Sequence, residues 1–304
     1  MTDVVDLVSE LVRIPSVSPF GKNERERRER FRACKEAIDG LAGILEQNGA
    51  RTEKLVFEGG HARWGYPVPN LYAEIKIGDA AAPGHKFLCY MGHIDVVPPG
   101  DEKLWSASPF SGKKAEGFVW GRGATDMKGS VGAWIGALEQ LRENKISGLN
   151  LTIGTLITAD EEWAAVNGSD KVLSWMKQNG KNPDSFIIGE PSSQDYLGTH
   201  VKVGRRGSLV GYLEAGGVQG HRAYEELFEN PNRALAYAMI ILNAKRWKDG
   251  SRYFPNTTFE AVAVRSGDFR RAAAKSHSSG LWLCTGIFAL PDAPVLVAQG
   301  NELD

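Results

Sequence analysis

Apolar and polar positions along this chain switch between two periods. Residues 3–13 (DVVDLVSELVR) place Val4, Val5, Leu7, Val8, Leu11 and Val12 on a stripe at helical spacing, and Ile14-Pro15-Ser16-Val17-Ser18-Pro19 ends that helix. A second helical pattern carries the charge-dense block from Lys22 to Arg32 as a solvated face. It runs on through Cys34, Ala37 and Ile38 to Leu45 and stops at Asn48-Gly49. The pattern then changes to strands. Arg51 to Phe57 and Asn70 to Ile77 read as a pair, separated by a Gly/Pro-rich loop that holds His61. Lys86 to Met91 is an apolar run that ends in His93-Ile94-Asp95 and a Pro-Pro-Gly turn. After it come a helix over Ser130 to Arg142, a β-rich run from Leu149 to Thr158, a helix over Gly168 to Gln178 and a short strand from Ser185 to Gly189.

Strand, helix, strand, helix, strand is the signature of an α/β sheet covered by helices. Further on, Val201 to Leu213 reads as a strand, Pro231 to Lys245 as a helix and Thr257 to Val264 as another strand, which is how a separate α+β unit begins. A chain of 304 residues has room for one large or two ordinary domains.

Composition removes several function classes. With 36 basic and 37 acidic residues the formal net charge is −1, so neither nucleic acid nor an anionic membrane is expected as a partner. No apolar run has the length of a membrane span. Met1-Thr2-Asp3 opens the chain without a secretory signal. The three cysteines (Cys34, Cys89 and Cys284) are odd in number and far apart, which argues against a disulfide framework and a cysteine metal site. A cytoplasmic enzyme acting on a small molecule is the expectation.

The candidate chemistry lies at the ends of the apolar runs. Residues two apart in an extended segment share a side, so His93 and Asp95 can act together, and a metal-bound imidazole needs an oxygen on its other nitrogen. Asp126 sits in the glycine-rich turn Gly121-Arg122-Gly123-Ala124-Thr125-Asp126, just before a helix, where it also suits an N-cap. Glu161 and Glu162 follow one β-rich run and Glu190 follows another. In α/β sheets ligands bind beyond the carboxyl ends of the strands, where these residues fall. One imidazole with several carboxylates suits Zn2+, Co2+ or Mn2+ better than Ca2+. Asp126 is best placed to bridge two ions. Of the adjacent Glu161 and Glu162, one can bind metal while its neighbour faces water as a general base.

Six stretches carry a resemblance: MGHIDVVPPGD (91–101), GRGATDMKGS (121–130), ITADEE (157–162), IGEPSS (188–193), VGRRGSL (203–209) and GVQGHRAY (217–224). With them the chain resembles the co-catalytic zinc amidohydrolases and peptidases, the family of aminoacylase, acetylornithine deacetylase, glutamate carboxypeptidase and succinyl-diaminopimelate desuccinylase, over about residues 1 to 264. The likeness implies a three-layer α/β catalytic domain with a mostly parallel central sheet at 1–203. It also implies a smaller α+β dimerisation, or lid, domain at 204–304. His93, Asp126 and Glu190 would hold one zinc, with Asp126 bridging to a second held by Glu162; Co2+ would also serve. Asp95 would orient His93 and Glu161 would be the general base. His221 would reach the partner subunit's active site in a homodimer and stabilise the oxyanion. Ser208 and Tyr224 match positions near substrate. Arg205 and Arg206 suit either substrate carboxylates or a surface strand.

The implied reaction is hydrolysis of N-succinyl-LL-2,6-diaminopimelate within lysine and diaminopimelate synthesis. A sibling hydrolase of acetylornithine or another N-acyl amino acid is the first alternative, and an inactive metal-binding remnant is the second. The family's second histidine ligand belongs to a C-terminal segment, and His277 matches no motif. The expectation is therefore a C-terminally truncated or frameshifted chain, atypical over 267–304 and impaired in activity.

Overall fold

A computed structural model describes residues 3–264 apart from 22, 60–65, 145–148, 194–195, 203, 205–206, 208–210, 212, 219, 222 and 262–263. His61, Arg205, Arg206, Ser208, His277, Cys284 and the stretch 267–304, expected to be atypical, lie outside the described residues. The chain divides into two compact units, Met1–Thr199 and His200–Asp304.

In the first unit Asp3 caps α1 (Val4–Arg13) by accepting the amides of Val5 and Asp6. Asn23 caps α2 (Glu24–Gln47) in the same way through Glu26 N. There follow β1 (Arg51–Phe57), β2 (Val68–Ile77), β3 (Lys86–His93), β4 (Lys113–Ala115), β5 (Phe118–Trp120), α3 (Gly129–Glu143), β6 (Leu151–Thr158), α4 (Ser169–Gln178) and β7 (Ser185–Ile188). β4 and β5 form a small hairpin that the apolar pattern, with only three residues a side, did not reveal.

The main sheet has the order β1-β2-β6-β3-β7. β1 and β6 are both antiparallel to β2, while β3 is parallel to both β6 and β7, so four of the five strands point one way. This is the mixed, largely parallel α/β sheet expected. Alternation along the strands divides the core between the two faces. Leu71, Ala73, Ile75, Tyr90, Ile153 and Ile157 pack with α1, α2 and α3 on one face. Tyr72, Cys89 and Leu156 meet Val172 and Met176 of α4 on the other. Removing a Leu or Ile side chain from water in this way contributes roughly 1.5–3 kcal/mol. Phe186, Ile187 and Ile188 of the short strand β7 stay exposed.

Several buried side chains are charged in water, among them Asp95, Asp160 and Lys128. Lys128 is fully buried, and its Nζ donates to Leu11 O and Ile14 O, each at 2.8 Å. It thereby satisfies carbonyls at the C-terminal end of α1 and ties that helix to the turn before α3.

In the second unit α5 (Pro231–Ala244) opens at the Asn230 cap with Pro231 in its first turn, and Val218 and Glu229 form an antiparallel bridge. The strand expected over Thr257 to Val264 is corrected: residues 257–261 and 264 are irregular. A β-rich run becomes a strand only by pairing. Here Thr257 N instead donates to Lys248 O, and the Phe259 ring stacks on Trp247. The run expected over Val201 to Leu213 lies partly outside the described residues, and those described are irregular. Among the described residues no helix is long and apolar enough to cross a membrane.

Candidate metal centre

Parallel pairing brings three strand ends together. His93 is the last residue of β3 and lies in register with Thr158, the last residue of β6; Met91 is in register with Ile188, the last residue of β7. Glu161 and Glu162 follow β6 by three and four residues, and Glu190 follows β7 by two. Asp126 comes from the turn Ala124–Lys128, where its backbone is extended (φ −120°, ψ 96°) and its peptide to Met127 is cis. That turn opens at Gly123 with φ of 79°, and a Cβ there would strike Val96 Cγ1, so glycine is required twice over. Gly189 is constrained by space alone, because a Cβ would run into Tyr90 Oη, Ser130 Oγ and Met127 Cε.

The imidazole of His93 is buried, with 1% of its side chain exposed. Its Nδ1 lies 2.9 Å from the backbone carbonyl O of Asp95, which makes Nδ1 the protonated nitrogen and turns the Nε2 lone pair outward. Around Nε2 stand Asp126 Oδ1 at 3.1 Å, Glu190 Oε1 at 3.6 Å and Glu161 Oε2 at 3.9 Å. Ligand atoms of His93, Asp126 and Glu190 all lie within 4.8 Å of one another, and these three residues can hold a metal ion.

The Asp95 carboxylate, fully buried, stands 3.6 Å from His93 Nδ1. Its closer partners are Ser18 Oγ at 2.9 Å, Glu162 N at 3.1 Å and Glu161 N at 3.2 Å. Asp95 thus meets the histidine through its main chain and the two glutamates' backbone through its side chain.

The electrostatics fit a cation. Burial alone would hold the His93 imidazolium down; Asp95, Glu161 and Glu190 outweigh it and raise it above the ordinary histidine range. Burial pushes Asp95 upward, against the pull of His93, the two glutamate amides and Ser18. Glu162 is pushed up to about 7 by burial, with His93 opposing and Asp126, Asp95 and Glu161 adding to it. Acids crowded this way repel one another at neutral pH, and a divalent ion with an imidazole and carboxylates as donors relieves that repulsion.

The remaining predicted residues lie in the second unit. His221 is exposed, accepts Ala223 N at its Nδ1 (3.1 Å), and faces the Tyr224 ring at 5.7 Å. Sequence reasoning passed over Ser18, treated there only as part of a helix stop, and Lys128. No spacing rule marks either residue, since each partner lies more than 70 residues away. It also passed over the stack of Phe20 on Trp163, 4.7 Å between centroids, beside Glu162.

A family model described as peptidase family M20/M25/M40 matches residues 89–292. The chain belongs to this family. Succinyl-diaminopimelate desuccinylase of Xanthobacter autotrophicus is 40% identical over 262 residues, which is 86% of this chain and 63% of that protein. The enzyme of the same name from Rhodospirillum centenum is 39% identical over 267 residues, 88% of this chain and 63% of that protein. The M20-family chain described here therefore spans less than two thirds of the length of these relatives. Among solved structures, human carnosine dipeptidase 1 superposes with a TM-score of 0.64 at 18% identity, covering 96% of this chain and 70% of that one. The M20 metallo-carboxypeptidase Sso-CP2 of Sulfolobus solfataricus gives 0.60 at 18% identity, with 95% and 71% covered. At such identities these two speak for the fold.

Proposed function

We propose that this chain is a metal-dependent amidohydrolase that cleaves N-succinyl-LL-2,6-diaminopimelate to succinate and LL-2,6-diaminopimelate. The observation that carries the reading is the convergence of Asp126, Glu190 and Glu161 on His93 Nε2, whose other nitrogen is already committed to Asp95 O. The curated desuccinylases at 36–40% identity support the substrate.

His93, Asp126 and Glu190 would hold a Zn2+ or Co2+ ion, with Asp126 and Glu162 as the residues that would serve a second. A bound divalent ion polarises the amide carbonyl and makes water acidic near neutral pH. Glu161, with its side chain 44% exposed at the mouth of the cluster, takes the proton of the attacking water and returns it to the leaving amine. Asp95 keeps His93 in the Nδ1–H form. His221, supplied across a homodimer by the second unit, stabilises the oxyanion, with Tyr224, Ser208, Arg205 and Arg206 as substrate contacts. The location is cytoplasmic.

Elemental analysis together with turnover of the purified chain tests this. At least one zinc or cobalt ion per chain, and release of succinate in preference to acetate from N-acetylornithine, are expected. Preference for the acetyl substrate would move the assignment to a sibling hydrolase. Absence of bound metal after incubation with Zn2+ would remove the metal reading. Glu161→Gln should retain the ion and lose turnover.

A further inference from the structure

The turn that carries Glu161 and Glu162 has no regular structure of its own. It leaves β6 at Thr158, and α4 does not begin until Ser169. Two consecutive amides of this turn, Glu161 N and Glu162 N, point at one carboxylate, that of Asp95, at 3.1–3.2 Å. A further donor to that carboxylate, among the described residues, is Ser18 Oγ, 2.9 Å from Oδ2, while His93 Nδ1 stands 3.6 Å from Oδ1 and gives its proton to Asp95 O. Ser18 is 3% exposed, and its hydroxyl has one alternative acceptor in Val96 O at 3.5 Å. The single proton of the hydroxyl goes to the nearer, charged acceptor.

Ser18 is itself held in place by main chain. Ser18 N donates to Val96 O at 3.1 Å, Val96 N donates to Ser16 O at 3.0 Å, and Val17 bridges Val96. The main chain that carries the hydroxyl is therefore fixed beside Asp95.

We infer that Ser18 is a positioning residue which, by locking the Asp95 carboxylate, sets the Glu161–Glu162 turn relative to His93. The inference deepens the amidohydrolase reading and rests on it for the roles of the glutamates. The contact itself joins three segments far apart in the chain: 16–18, 93–96 and 158–162. Without the hydroxyl, the Asp95 carboxylate keeps the two amides and loses the donor that ties it to segment 16–18. The turn then samples orientations in which the glutamates no longer face His93 Nε2.

Hydrogen exchange read by mass spectrometry on the metal-free full chain tests the contact without reference to metal or turnover. Ser18→Ala should accelerate exchange of peptides spanning 159–164 by on the order of tenfold, the factor expected for one hydrogen bond to a charged group. Peptides from α4 should be unchanged. Ser16→Ala is the control, because Ser16 Oγ is equally buried and donates to Ile94 O at 2.6 Å without touching Asp95. It should leave 159–164 unaltered. Unchanged exchange in Ser18→Ala, or equal acceleration by Ser16→Ala, overturns the inference. Should Ser18→Ala fail to fold, Ser18→Cys leaves no cavity and surrenders most of the donor strength, and the same two outcomes apply.

Titration calorimetry with Co2+ then separates the two levels. Weakening by about 10–100-fold in Ser18→Ala is expected for loss of a group that supports metal ligands. If the unmodified chain does not bind Co2+, the metal reading falls while the exchange result still stands or falls by itself. If it binds and Ser18→Ala binds equally well, the inference falls alone.

Discussion

Replacing Lys128 with Met tests how the buried ammonium is tolerated. Lys128 is fully buried, and burial pushes it down from 10.5 to about 8, with Cys34 and Asp95 opposing. Below about pH 8 the folded and unfolded chains both carry the proton, and the charged, buried form weighs fully against folding. Between about 8 and 10.5 the folded chain has released the proton while the unfolded chain keeps it, so stability from this group rises with pH. A difference of 10.5 against about 8 corresponds to a full span of roughly 3 kcal/mol, of which about 2–3 kcal/mol falls between pH 7 and pH 10. Lys128→Met removes the charge but leaves Leu11 O and Ile14 O without this donor, an offsetting loss of about 1–3 kcal/mol per group. The two variants should therefore be close in stability at pH 7, with wild type pulling ahead by about 2–3 kcal/mol at pH 10. Urea unfolding of both proteins at the two pH values measures this, and other alkaline titrations cancel in the difference. A difference between the variants that does not change with pH would refute the reasoning.

Lys181→Met tests a partly buried ion pair: burial pushes Glu74 upward, but the bonds from Lys181 Nζ (2.7 Å) and Tyr72 Oη (2.8 Å) outweigh it and hold Glu74 below 4.5. A depressed carboxylate stabilises above its unfolded value, so the wild-type advantage over Lys181→Met, on the order of 1 kcal/mol, should be present above pH 4.5 and shrink on acidification in urea unfolding. Co2+ at a hundredfold excess over its Kd should stabilise the chain by about 2.7 kcal/mol and raise Tm by several degrees in differential scanning fluorimetry, and His93→Ala should abolish the shift. Calorimetry at pH 6 and 8 should show Co2+ binding more tightly at pH 8 with protons released at pH 6, because His93 and Glu162 are both held upward and must give up protons to the ion; equal affinity at both would contradict this. Gly189→Ala should cost about 1–3 kcal/mol from overpacking and weaken Co2+ binding, and Tyr90→Phe with it should restore part of the stability by removing the hydroxyl the new methyl would strike.

The legible part of the fold was the local part. The helices over 4–13, 24–47, 129–143 and 169–178 follow from apolar spacing and from stops such as Pro15, Asn48-Gly49 and Asn179-Gly180. The strand ends that deliver His93, Glu161, Glu162 and Glu190 follow from apolar runs ending in polar residues. The order β1-β2-β6-β3-β7, with β2 reversed, did not follow, because the apolar pattern marks each strand without saying which neighbours which. Ser18 and Lys128 were hidden for a related reason. A serine in a helix stop and a lysine in a glycine-rich turn have ordinary solvated readings, and only tertiary contact turns them into a carboxylate lock and a helix cap. Thr257 to Ala261 shows the reverse error, a strand-like composition with no pairing partner among the described residues.

What connects these cases is that the site is built from groups that oppose the fold taken singly. Asp95 and Lys128 are fully buried, and Glu162 is pushed up to about 7 by burial and its acidic neighbours. Such groups persist only where each is held by several partners at once. Asp95 has Ser18 and two backbone amides, Lys128 has two helix-end carbonyls, and His93 has Asp95 O on one nitrogen and carboxylates on the other. The partners come from β3, from the segments after α1 and β6, and from the turn before α3, so no single element can shift without uncovering a charge. That interdependence fixes the spacing of the cluster more tightly than apolar packing would, since a displaced methyl group loses a little contact whereas a displaced buried charge loses its solvation outright.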